Sequence, residues 1–208
     1  MDNMLMIVSG PSGVGKQTLI DGLLAVFPEI HRTRSCTTKA LAEGEDEDYD
    51  QLTVDDFLDM VNAGGLAEHR KVHGNWYGTP RSEAEWPGIA LAEVDCQGAL
   101  DLKRQYPHAH LAFILPPPYP PELERRIRTR GREKSEADIQ RRLRNALGEI
   151  AQARNFDCWV ENEDKALAFR NLYYIFLMWR FGSEPGKAHS DLGLLERVQS
   201  AFAAVATS

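Results

Sequence analysis

The chain has 208 residues, 43% of them hydrophobic and 26% charged, which suits one α/β domain with small inserts and a buried core. Its net charge of −7 argues against broad binding to nucleic acid or anionic membranes, so an anionic ligand has to be met by local positive charge. Three widely spaced cysteines, Cys36, Cys96 and Cys158, point to a reducing compartment and exclude a Cys-only zinc site. The longest apolar run, Leu172 to Trp179, is too short to span a bilayer, and no signal peptide is read at the start.

An apolar run, Met4 to Val8, predicts a buried strand. Directly after it come Gly10, Pro11, Ser12, Gly13, Val14, Gly15 and Lys16, and then Leu19, Ile20, Leu23, Leu24 and Phe27 at helical spacing. Strand, glycine-rich loop and helix are the setting of a phosphate-binding loop. Backbone N–H groups curl inward, the helix start adds partial positive charge, and Lys16 reaches the terminal phosphates of a nucleoside triphosphate. The pattern G-x-x-x-x-G-K-[ST] fails only at its last place, where Gln17 stands for a metal-binding hydroxyl. Thr18 is one residue late and projects about 100° further round the helix. Gln17 is left as a weak ligand through its amide oxygen, or through water.

The helix ends at Phe27-Pro28, and His31 to Thr38 reads as extended chain. Glu43, Glu45, Asp46, Glu47, Asp48 and Asp50 read mostly as a solvated acidic loop. Thr53 to Asp56 forms a capping box for a helix to Val61, which Gly64 and Gly65 stop. Leu66 to Thr79 suggests two strands turning at Gly74-Asn75, a geometry unsuited to a metal shared by His69 and His73. A short helix follows over Ser82 to Trp86. Ile89 to Val94 reads as a strand with Glu93 and Asp95 at its C-terminal end, where ligands meet an open α/β sheet.

Helix is expected from Gly98 to Tyr106 and strand from Leu111 to Leu115. Pro120 opens a helix that Gly131 stops, and Ser135 caps a second long one. Seven arginines gather on these two helices: Arg125, Arg126, Arg128, Arg130, Arg141, Arg142 and Arg144. Helical pairing with glutamates accounts for about half of them. A strand from Cys158 to Val160, a helix from Asp164 to Trp179, a linker and a last amphipathic helix from Ser190 to Val205 complete the chain. Alternating strands and helices imply a mostly parallel sheet with helices on both faces.

Over roughly Met4 to Phe181 the chain resembles the guanylate kinase family of P-loop nucleoside monophosphate kinases. The likeness is carried by GPSGVGK, AEHRKVHGNWYGT, EVDCQG, FILPPP, LERRIRTRGR and IQRRL, in matching order and spacing. The resemblance implies a P-loop kinase core (1–34, 88–124 and 145–181), a nucleotide-binding insert at 35–87, a lid at 125–144 and a C-terminal helical extension at 182–208. It implies ATP as phosphoryl donor, GMP or dGMP as acceptor, and Mg²⁺. Ser35, Glu68, Thr79 and Asp95 fall where the family reads guanine, and their chemistry suits a base that shows an N–H donor edge beside a carbonyl. Tyr49 and Tyr77 fall on the acceptor phosphate, with Lys39 in place of one phosphate arginine. Arg130 and Arg142 match lid arginines that act with Lys16 in transfer, Glu93 falls near the metal, and Asn162 in the loop on the adenine side.

Three departures stand out. Gln17 replaces the metal-binding hydroxyl. Lys39 and Ala42 replace two arginines, and lysine lacks the bidentate fork. Loss of one arginine contact, worth ~1.5–3 kcal/mol, weakens phosphate binding by ~10–100-fold unless Arg34 or Arg81 compensates. The loop after Glu45 is also shorter than is usual in the family. Two alternatives stay open: a sugar-phosphate kinase of the ribose bisphosphate phosphokinase type, which also tolerates a residue like Gln17, and a guanylate-kinase-like binding module without turnover.

Overall fold

The computed structural model describes residues 3–41, 48–72, 74–130, 135–183 and 192–206. Strands β1 (Met4–Ser9), β2 (Ile30–Arg32), β7 (Ile89–Glu93), β8 (His110–Leu115) and β9 (Cys158–Glu161) form one sheet in the order β2-β7-β1-β8-β9. The pairs β2 with β7 and β8 with β9 run parallel. Leu111 to Leu115 are all buried, the uninterrupted apolar reading of a strand covered on both faces. Strands β3 (Ser35–Thr37), β4 (Tyr49–Gln51), β5 (Leu66–Val72) and β6 (Asn75–Pro80) form a second sheet in the order β4-β3-β6-β5.

The chain divides into two compact units, Met1–Ile7 with Pro28–His110, and Val8–Phe27 with Leu111–Ser208. The first holds the four-stranded sheet with helices α2 (Val54–Asn62), α3 (Arg81–Ala84) and α4 (Cys96–Gln105). Cys36, Phe57 and Leu66 are the buried centre of that sheet's covered face, with Leu52, Met60, Val61 and Trp76 packed around them. Thr53 caps α2 by accepting from the Asp56 N–H, the first half of the capping box, and its own hydroxyl donates to the Asp56 carboxylate.

The second unit holds α1 (Lys16–Val26), α5 (Pro120–Arg130), α6 (Glu136–Gln152), α7 (Lys165–Arg180) and α8 (Leu192–Ala206), with a 3-10 turn at Ala153–Asn155. α1 buries Leu19, Ile20 and Leu23 and packs on α7, where Phe27 lies 4.7 Å from the Phe176 ring. α8 packs on α6 through buried Leu195, Val198 and Phe202, and the Gln199 amide donates to the Ile150 carbonyl. Leu192 and Leu194, expected on the same apolar face, have side chains outside the described residues.

The elements follow the sequence reading with four differences. His31 to Thr38 divides into β2 and β3 rather than running as one stretch. Asp48 and Asp50 do not lie in a solvated loop. Asp50 belongs to β4 and pairs with Arg34 at 2.6 Å, and Asp48 pairs with Arg32 at 2.8 Å. Glu43, Glu45, Asp46 and Glu47 lie outside the described residues. α3 begins at Arg81 without a side-chain cap, and α4 begins at Cys96 rather than Gly98 because the Asp95 carboxylate caps it.

Candidate active site

β1 runs into the glycine loop, and α1 starts at Lys16 in the second unit. Gly15 sits at φ +97°, and a Cβ there would stand 2.6 Å from the Asn162 amide nitrogen, so no other residue fits without strain. Asn162 is buried at the end of β9. Its amide donates to the Val14 carbonyl at 2.7 Å, so the β9 end holds the loop's backbone in place. Arg126 holds Asn162 in turn, donating to its carbonyl at 2.8 Å while pairing with Glu122 at 2.7 Å.

The Lys16 ammonium donates to the Gly10 carbonyl at 2.7 Å and to the Pro11 carbonyl at 3.3 Å, which folds its stem back across the loop. Arg142, on α6, donates to the Ser12 hydroxyl. The Gln17 amide nitrogen donates to Asp21 one turn along α1, at 2.9 Å, and Thr18 is exposed. Thr18, Asp21, Gly22, Asp164, Lys165 and Phe169 line a groove beside the loop.

Four of the seven arginines on α5 and α6 make the helical ion pairs anticipated for half of them: Arg125 and Arg126 with Glu122, Arg128 with Glu124, Arg141 with Asp138. The two pairs on Glu122 hold its carboxyl well down, at about 2. The Arg130 side chain lies outside the described residues.

In the first unit, strand register gathers most of the residues expected on the acceptor side. Ser35 pairs with Tyr49, Thr37 with Tyr77, and Glu68 with Thr79. Cross-strand partners share a face, as do residues two apart, so Ser35, Tyr49, Glu68, Tyr77 and Thr79 all stand on one face of the four-stranded sheet. The opposite face carries Cys36 and Trp76 onto Phe57. Glu68 is 7% exposed and accepts from the Thr79 hydroxyl at 2.9 Å. Burial pushes its carboxyl above the usual carboxylate range, against the Thr79 hydrogen bond. Tyr49 and Tyr77 meet edge to face at 6.1 Å.

Asp95 stands apart from that sheet, at the start of α4, where one oxygen accepts the Gly98 N–H at 2.8 Å. The Lys39 backbone N–H donates to the Thr37 hydroxyl just beyond β3. Glu93, at the end of β7, lies 3.7 Å from the Arg32 guanidinium. The two arginines considered as substitutes at the acceptor phosphate are engaged elsewhere. Arg34 pairs with Asp50 and donates to the Tyr49 carbonyl, while Arg81 donates to the Gly64 carbonyl and the Tyr106 hydroxyl. Ala42 lies outside the described residues.

Two residues of these half-sites were not singled out in the sequence. Arg70 stands on the Glu68 face, directly across from Tyr77, and period-two counting from Glu68 finds it. Arg126 reads only as the helical partner of Glu122; its hold on the Asn162 carbonyl, 36 residues away, has no local signal.

The guanylate kinase family profile matches residues 2–176. The chain belongs to the guanylate kinase family. It is 37% identical over 199 residues to a guanylate kinase of Nitratidesulfovibrio vulgaris, covering 93% of this chain and 95% of that one. A guanylate kinase of Prochlorococcus marinus strain SARG is 40% identical over 172 residues, covering 80% and 92%. The crystal structure of the guanylate kinase from Anaplasma phagocytophilum superposes with a TM-score of 0.66 at 27% identity, covering 88% of this chain and 87% of that one.

Among the described residues, no group of three or more His, Cys, Asp or Glu side chains is placed to hold a metal ion, and no helix is long and apolar enough to cross a membrane. Mg²⁺ keeps several waters and is usually held by one or two protein groups together with substrate phosphates, so it does not call for such a group.

Proposed function

We propose that this guanylate kinase family member transfers the terminal phosphoryl group of ATP to GMP or dGMP, giving ADP and GDP or dGDP. The observation that carries the reading is the buried Glu68–Thr79 pair, on the same sheet face as Ser35, Tyr49 and Tyr77. Guanine offers N1–H and 2-amino donors that a carboxylate accepts, while a hydroxyl serves its carbonyl. Adenine presents the opposite pattern there. We assign base selection to Ser35, Glu68, Thr79 and Asp95, and the acceptor phosphate to Tyr49, Tyr77 and Lys39.

On the donor side, Gly10 to Lys16 cradle the β- and γ-phosphates, and Lys16 exchanges its carbonyl partners for phosphate oxygens. The groove from Thr18 to Phe169, next to Asn162, takes the adenosine. Mg²⁺ bound with the nucleotide would supply charge neutralisation, and Gln17 and Glu93 are the residues we assign to it. An oxygen of the GMP phosphate bonds to the γ-phosphorus, and the bond to the bridging oxygen breaks, which releases ADP. That nucleophile is already anionic, so no strong base is needed. Arg142 and Arg130, on the lid segment 125–144, offset charge spreading over the transferring group. Residues 35–87 are the acceptor-binding insert. Three buried free cysteines suit a cytoplasmic protein.

The test is ADP release with Mg-ATP against GMP, dGMP, IMP, AMP and ribose bisphosphate. Turnover with GMP and dGMP well above AMP supports the reading. Preference for ribose bisphosphate, or GMP binding without ADP release, overturns it in favour of a sugar-phosphate kinase or a binding module respectively.

A further inference from the structure

Arg70 lies two residues beyond Glu68 on β5 and across from Tyr77 on β6, so its side chain shares the face that carries the base-reading set. Its guanidinium reaches three carboxylates: Asp101 at 2.9 Å, Asp95 at 3.4 Å and Glu68 at 4.0 Å. Its Nε is buried, and no described residue accepts from it. The Asp95 oxygen nearest to Arg70 is the one that also accepts the Gly98 N–H at 2.8 Å. The Gly98 hydrogen bond and the Arg70 ion pair converge on that one oxygen and orient the carboxylate.

We propose that Arg70 is a positioning residue for guanine selection, a cation set against Glu68 and Asp95 that favours their carboxylate forms and holds them to accept from the purine's N–H edge. This deepens the GMP reading and rests on it. A buried carboxylate beside two other acids is driven toward its neutral form, and a neutral carboxyl cannot accept on both oxygens. The groups around Glu68 bear this out. Asp95 and Asp101 face it from α4, both negative. Thr79 on β6 donates a hydroxyl, and the Cys36 thiol on β3 is neutral, pushed up to about 11 by burial. α2 turns Phe57 toward this sheet, and from α3 Arg81 reaches the Leu66 carbonyl. His69 and Arg104 line a groove with the same strand. Burial acts most strongly toward the neutral form of Glu68; the Thr79 hydrogen bond opposes it, and among the described residues the Arg70 cation opposes it as well.

The experiment uses the full chain with Arg70→Met, Arg70→Lys and Asp101→Asn, measuring initial rates from pH 6 to 8.5 with GMP and IMP, which differ in the 2-amino group. Arg70→Met is expected to raise KM for GMP rather than lower kcat, by about tenfold for each unit that the Glu68 titration moves up, and most on the acid side. Its preference for GMP over IMP shrinks, and KM for ATP holds. Arg70→Lys restores much of the pH profile. Asp101→Asn, which removes a negative neighbour of Glu68, moves the acid limb the opposite way and serves if Arg70→Met does not fold. A KM increase equal for GMP and IMP and flat with pH overturns the proposal and leaves Arg70 as packing. If instead the unaltered protein does not prefer GMP to IMP, or Glu68→Gln leaves KM for GMP unchanged, the GMP reading itself fails and takes the proposal with it.

Discussion

Arg142, on the second of the two arginine-rich helices, donates to the hydroxyl of Ser12 in the middle of the phosphate loop, 130 residues earlier in the chain. A guanidinium poised on that loop is one hydrogen-bond exchange from a bound triphosphate. Arginines that stabilise charge on a transferring phosphoryl group contribute ~10³–10⁵-fold in rate. Arg142→Ala is therefore expected to lower kcat by about 10³-fold while KM for GMP changes little, as steady-state rates will show. Ser12→Ala, which frees the arginine without removing it, should cost far less. Equal losses in both would refute the assignment.

Lys16→Ala should abolish turnover yet leave GMP binding nearly intact, because the Glu68–Thr79 pair, to which base selection is assigned as a proposal, belongs to the other compact unit. Calorimetric titration with GMP alone, compared with ATP alone, separates the two. Parallel loss of both affinities would contradict the division of labour.

Asn162→Ala removes the donor that meets the Val14 carbonyl and leaves a buried acceptor unpaired, a cost of about 1–3 kcal/mol. Thermal unfolding should register it, together with weaker ATP binding. Gly15→Ala meets both a positive φ and a 2.6 Å approach to Asn162, so it should damage ATP affinity more than stability. An ATP dissociation constant unchanged in Gly15→Ala would show that the loop conformation does not matter.

Glu68 couples recognition to stability with a definite sign. Its folded pKa lies above its unfolded one, so its contribution is complete below the unfolded value and is lost as pH rises through the folded value. Ionising this buried carboxyl therefore costs the native state stability as pH rises. Glu68→Gln keeps an acceptor for the Thr79 hydroxyl and removes the charge. It is expected to raise the midpoint of thermal unfolding at pH 7–8, with the gain shrinking toward pH 5, while KM for GMP rises at least ~10-fold. A variant less stable than the parent at pH 8 would count against a strained ionised Glu68.

Local signals made most of this fold legible. The β1–loop–α1 start, the capping residues Thr53, Ser135 and Asp164, and the Gly74-Asn75 turn each depend on neighbours a few positions away, so the sequence by itself determined those elements, and with them the phosphate loop and the family likeness. β4 escaped because three residues at the end of an acidic run carry no apolar period, and pairing with Ser35–Thr37 of β3 draws Tyr49–Gln51 into a sheet. The tertiary structure alone decided what the charged residues do. Asn162 matched a loop on the adenine side, yet its amide supports the Val14 carbonyl; Arg34 and Arg81, free on paper to serve a phosphate, are engaged with Asp50 and with the Gly64 carbonyl. Arg70 became visible only when strand register set it beside Glu68, Asp95 and Asp101. The reason is range: propensity and capping act within one turn or one strand, whereas a charge takes its role from whatever the fold brings within a few ångströms of it.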